Sequence, residues 1–153
     1  MYSGGTDRGV SVNIGYTINI VIMTVIFIGL ISAAGAAIQS ERSAVATAEM
    51  DVAGNQLAAD LMSVDRLARA GGDETTVTKT VSLPNRISGD QYRITVTQNT
   101  VELSPRTEQL SVSVPYRSER PVVNADGETE FELAGGDLQI QLTEDGRLEV
   151  RSI

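Results

Sequence analysis

Three hydrophobic periodicities follow one another along this chain. From Val10 to Ser40 no residue is charged, and the stretch from Ile14 to Ile38 is almost wholly apolar. A bilayer core of ~30 Å needs roughly 20 helical residues, so this run predicts a membrane-spanning helix. Past Glu41 the pattern becomes helical and amphipathic. Met50, Leu57 and Val64 recur every seven residues, with Ala53, Leu61 and Ala68 filling the same face. Asp51, Asp60, Asp65, Arg66 and Arg69 are expected mostly on other faces. Gly71-Gly72 supplies a stop, with Arg69 well placed for the C-terminal dipole. No proline interrupts the chain before Pro84, so one helix from Val10 to Ala70 is predicted. Gly54 and the Gly29/Gly35 pair are its expected bends.

From Thr75 the period switches to two. Val77, Val81 and Leu83 mark a first strand that ends at Pro84. Tyr92, Ile94 and Val96 alternate with Arg93, Thr95 and Thr97; Val101 and Leu103 follow; Leu110, Val112 and Val114 alternate with Ser111 and Ser113. Phe131 and Leu133 are expected to begin a meander. Leu138, Ile140 and Leu142 run into the turn Glu144-Asp145-Gly146, from which Leu148 and Val150 return. About seven short strands after one long helix predict an α+β fold, with the strands in a small antiparallel β-sandwich or roll. Ala70-Gly71-Gly72-Asp73 recurs as Ala134-Gly135-Gly136-Asp137, a shared turn and not a repeat unit.

Composition narrows the chemistry. Cysteine and histidine are both absent, which excludes disulfides, thiolate catalysis, the usual zinc sites and a Ser-His-Asp triad. The chain carries 20 acidic against 12 basic residues, and Lys79 is the single lysine. Arginine in place of lysine under an excess of surface acid fits a protein soluble in high salt. A GC-rich genome alone would also raise arginine. The acidic balance and lack of a basic patch speak against nucleic acid as a partner. No Asn-x-Ser/Thr sequon occurs, so N-glycosylation is not expected. Tyr92, Tyr116 and Phe131 are the aromatics beyond the span, leaving a core of Val, Leu and Ile.

Arg8 precedes the run and Glu41-Arg42 close it, which places the N-terminus in the cytoplasm by the positive-inside rule. A secretory signal peptide is the rival reading, since Ala34-Gly35-Ala36 offers a small-residue cleavage site. The run exceeds what such a peptide needs, and an amphipathic helix continues from it without a break. Gly29, Ala33 and Ala37 stand at intervals of four, a spacing that lets helices approach closely in lipid. Met50, Leu57, Leu61 and Val64 carry the packing face of the continuing helix. Asn13, Thr17, Asn19 and Thr24 are polar groups in the inner half. Asn19 within hydrocarbon calls for an interhelical hydrogen bond, and the alternative is that these groups lie near the cytoplasmic interface. Asp126-Gly127-Glu128 and Glu144-Asp145-Gly146 are acidic turns, neither with the convergent oxygens of a calcium loop. With no nucleophile–base pair and no phosphate loop, no catalytic, cofactor or metal residues are assigned and no enzyme activity is expected.

The segment Asp7-Arg8-Gly9-Val10-Ser11-Val12-Asn13-Ile14-Gly15 resembles the start of haloarchaeal type IV pilin-like proteins. In these a basic residue and glycine precede a short Val-Ser segment, an Ile-Gly pair and the hydrophobic stretch. The layout of tail, span, amphipathic helix and β head is similar too, and closest to a group of small haloarchaeal pilin-like membrane proteins with a strand like Tyr92–Val96. The resemblance implies processing by a prepilin-type membrane peptidase at Arg8 and Gly9, with Val10 the new N-terminus. It further implies partnership with other pilin-like subunits through the N-terminal helix. Val12-Asn13 replaces the proline common after Val-Ser, and Ile14 stands where bacterial pilins often carry glutamate. That directs the expectation to a minor or pilin-like subunit.

On this reading residues 1–9 are a cytoplasmic leader tail and 10–40 a transmembrane helix. Residues 41–71 continue the helix, and 72–153 form an exterior β-rich head. The expected function is a non-enzymatic pilin-like subunit, a minor pilin or pseudopilin of a surface filament or secretion apparatus. A single-pass anchored β domain that binds a partner, and a secreted hydrolase, are the competing readings.

Overall fold

The computed structural model describes residues 7–71, 75–106 and 110–153, with side chains from Gly15 onward. The chain divides into two compact units, Met1–Glu41 and Arg42–Ile153. One α-helix, α1 (Asp7–Gly71), supplies the described part of the first unit and the opening of the second. Its helical hydrogen bonding continues through Gly29, Gly35 and Gly54. In the first unit the large apolar side chains from Tyr16 to Ile38 are exposed along the helix. Among the described residues α1 is the one helix long and apolar enough to cross a bilayer.

The second unit is an α+β head. Its strands are β1 (Thr78–Ser82), β2 (Tyr92–Val96), β3 (Thr100–Pro105), β4 (Val112–Pro115), β5 (Val122–Val123), β6 (Phe131–Ala134), β7 (Asp137–Leu142) and β8 (Leu148–Ser152). They form two four-stranded sheets, ordered β1-β7-β8-β5 and β4-β3-β2-β6. All pairs are antiparallel except β5 with β8. The alternation expected on β2 is observed: Tyr92, Ile94 and Val96 point inward and Arg93 outward.

The helical face Met50, Leu57, Leu61 and Val64 lies in one core with Ile94, Val96 and Leu103 of one sheet and Leu138, Ile140 and Leu148 of the other. All four helix residues are fully buried, each worth roughly 1.5–3 kcal/mol of apolar transfer. Gly54 explains how closely the helix sits. A Cβ there would stand 2.8 Å from Val114 Cγ2 and 3.0 Å from Leu103 Cδ1. Gly54 thus allows close approach of α1 to β3 and β4.

The expected meander through Phe131 does not form. β6 pairs with β2, Val96 facing Phe131 and Ile94 facing Leu133, while β7 lies in the other sheet. The chain changes sheets at Gly135-Gly136. A Cβ on Gly135 would overlap the Tyr92 ring, and Gly136 has φ +127°, a region that side-chain-bearing residues avoid. Gly135 N–H donates to the Tyr92 carbonyl, and the Gly136 carbonyl accepts from Leu83 N–H, so the corner is held from both sides. β5 escaped sequence reading because two residues after Pro121 carry no periodicity. Val122 and Val123 are both buried, and the Pro121 carbonyl accepts from Leu148 N–H at 2.9 Å.

The hairpin between β7 and β8 closes as its sequence predicts. Thr143 and Arg147 pair across it, and Gly146 takes φ +75°. A second two-residue turn, Ser88-Gly89 with φ of 49° and 90°, joins Ile87 to Asp90. Glu49 of α1 holds it, its carboxylate accepting from Ser88 N–H at 2.7 Å. Tyr92 and Tyr116 donate their hydroxyls to the carbonyls of Pro84 and Thr97 at 2.7 and 2.5 Å. Burial pushes the Tyr92 phenol up to about 12 and raises that of Tyr116 as well.

Two outcomes follow from this packing. Gly54→Val should destabilise the head by about 1–3 kcal/mol, read as a lower denaturant midpoint of the full chain in detergent, because the added methyls meet a β-branched neighbour. Both buried tyrosines hold their proton more tightly folded than unfolded. Their contribution is complete below pH ~10 and falls as pH rises towards about 12, by ~1.4 kcal/mol per pH unit for each tyrosine. Alkaline unfolding curves of a Tyr2→Phe/Tyr16→Phe background should show tyrosinate absorbance appearing with unfolding, not ahead of it.

Candidate functional site

The residues singled out from sequence fall on different parts of α1. Arg8, Gly9 and Val10 lie on its helical backbone, their side chains outside the described residues, as are the whole of 1–6 and Gly72 of the stop. Gly29, Ala33 and Ala37 are exposed, and a Cβ on Gly29 would meet nothing within 4 Å. Met50, Leu57, Leu61 and Val64 face the sheets of their own head. The two sets are thus used differently: the first is open along the apolar helix, and the second is occupied within the chain.

The acidic turns, by contrast, are brought together. Asn124, Asp126, Gly127, Thr143, Asp145 and Glu149 line a small cleft of about 210 Å³ with Arg147 among them. Arg147 Nη2 lies 3.2 Å from Asp145 Oδ2, so a guanidinium already provides positive charge there. Asn124 Oδ1 accepts from the backbone N–H groups of Asp126 and Glu128, which spends its acceptor on the turn itself. Among the described residues no group of three carboxylate, histidine or cysteine side chains converges on a point.

Asp65 was expected on a polar face and is instead buried, at 1% exposure. It follows Leu61 by four residues and precedes Ala68 by three, so its helical phase borders the buried face. Its carboxylate accepts from the backbone N–H groups of Glu119 and Arg120 at 3.3 and 3.4 Å. Arg69 Nη2 lies 3.3 Å away and Arg120 Nη1 3.9 Å. Arg69 also reaches Glu119 at 2.6 Å. The cluster ties the β4–β5 connection to α1. Lys79 makes a second tie, its Nζ 2.6 Å from Asp60 of the helix. The phase of Asp65 was a usable signal in the sequence; its loop partners, more than fifty residues away, left none.

Beside the helix, Ala48, Val52 and Gln56 face Pro84, Arg86 and Gly89 across an open groove of about 560 Å³. Val52 is one of the large apolar residues that the head leaves exposed. Glu49 and Ser88 also line it, and there the Glu49 carboxylate accepts from both the backbone N–H and the hydroxyl of Ser88.

A family model covers residues 5–151, from the Arg8-Gly9 entrance through the last strand. The chain belongs to DUF7266, a family of unknown function. Membership of DUF7266 joins helix and head as one inherited unit, because the match spans both. No curated protein and no solved structure matches the chain.

Replacing Asp65 tests the tie between helix and loop. Asp65→Ala should cost about 2–3 kcal/mol, since charge-assisted bonds to two backbone donors are lost. Proteolysis within 117–121 should accelerate in the variant. An unchanged midpoint with unchanged cleavage would show that the loop is held by other contacts.

Proposed function

We propose that this chain is a non-enzymatic, pilin-like subunit of a surface filament or secretion apparatus. Its apolar helix is held in the membrane until assembly, and its β head lies outside. The observation that carries this reading is that α1 serves two purposes without a linker. One end is a bare apolar rod, and the other supplies Met50, Leu57, Leu61 and Val64 to the core of the head. A domain that needs no more than tethering can hang from a flexible Gly/Ser segment. Here residues 41–46 are helical, so the apolar run and the packing face of the head belong to one helix. The segment Arg8-Gly9-Val10 adds support, because trimming there removes the charged entrance and keeps the whole apolar run. A prepilin-type peptidase and other pilin-like subunits are the partners on this reading.

The groove beside Val52 favours a second reading, a single-pass anchored head that binds a partner and does not polymerise. The mature N-terminus separates the two. Intact-mass measurement of the chain from its native membrane should place it at Val10. A start at Met1 would favour the plain anchor, and a start near Ala37 or Ile38 would indicate secretion. Deleting Arg8-Gly9 should leave the remaining chain untrimmed; trimming at the same place would sink the subunit reading.

A further inference from the structure

β4 and β5 are edge strands of different sheets. The connection between them, 117–121, meets α1 at Asp65, whose buried carboxylate accepts from the N–H groups of Glu119 and Arg120. Ser118 Oγ donates to the Arg120 carbonyl at 2.8 Å, which folds the segment locally. One residue on, the Pro121 carbonyl accepts from Leu148 N–H of β8 at 2.9 Å. The proline ring fixes φ at Pro121, so the placement of Arg120 on the helix carries into the placement of that carbonyl.

β5 has little backbone hold of its own. It pairs with β8 at two residues, Val122 with Leu148 and Val123 with Glu149, and in parallel. Parallel pairing is slightly the weaker kind per residue, and two residues of it do not hold a segment extended in water. A further bond reaches β5 from the turn between β2 and β3, where Gln98 Nε2 donates to the Val122 carbonyl at 3.1 Å. Burial of Val122 and Val123 draws β5 inward, but apolar burial is non-directional and does not choose which carbonyl faces Leu148 N–H. The directional hold next along the chain is Asp65.

We propose that Asp65 is a latch through which α1 governs the edge of the β1-β7-β8-β5 sheet. Residues 117–123 open and close as one strap, and β5 pairs with β8 when the strap is latched on the helix. Opening takes β5 off the sheet edge and leaves Leu148 N–H without its acceptor, although Asp65 makes no hydrogen bond to either β5 or β8. The rest of the two sheets stays paired in the open form. The device belongs to the head and does not rest on filament assembly.

Native-state hydrogen exchange of the full chain in detergent, read amide by amide in low urea, tests the strap. In the wild type the amides of Glu119, Arg120 and Leu148 should exchange through one opening that depends little on urea. The amides that pair β7 with β8 and β2 with β3 should exchange through global unfolding, with the full urea dependence. Asp65→Asn should speed exchange about tenfold at Leu148, by the same factor as at Glu119 and Arg120. Glu119→Gln keeps the backbone donor and loses an exposed ion pair, so it should leave Leu148 exchange within about twofold of wild type. A Leu148 amide that exchanges with the β7–β8 ladder in the wild type overturns the latch. So does an Asp65→Asn chain that exchanges faster at Glu119 and Arg120 but not at Leu148. The wild-type comparison decides the matter even where that variant does not fold.

Discussion

The head depends on one apolar helix face. Met50, Leu57, Leu61 and Val64 share one buried core with residues of both sheets. A head of this size, without disulfides and with three aromatics, buries little by its strands alone. Lending it the second half of α1 supplies the missing apolar surface. Gly54 lets the backbone come close enough for that surface to fill the space over β3 and β4.

Polar ties complete what the apolar face begins. Asp65 gathers two backbone donors and two arginines, Asp60 takes the single lysine, and Glu49 holds a left-handed turn. Each joins α1 to a different segment of the head. These contacts set which loops lie against the helix, while burial provides most of the stabilisation. The two glycines between β6 and β7 act at another level. They allow the chain to leave one sheet and enter the next within two residues, which gives both sheets a strand on each side of the corner.

The same helix therefore meets two solvents. From Tyr16 to Ile38 it exposes large apolar side chains with few polar ones between them, as a hydrocarbon setting favours. From Ala46 onward one face is buried by protein and the other is largely polar.

Much of this was legible along the chain. The uncharged run, the seven-residue repeat of Met50, Leu57 and Val64, and the alternation of Tyr92, Ile94 and Val96 each follow from local periodicity. So does the Glu144-Asp145-Gly146 turn, whose glycine takes the left-handed geometry its position demands. Tertiary structure alone decided what those elements touch. Phe131 joins β2 and not β7, Asp65 turns inward, Gly54 meets Val114 and Leu103, and Val122-Val123 becomes a strand. Periodicity reports which face of an element avoids water. Which other element covers that face depends on pairings between residues far apart in sequence, and these exist once the chain has folded.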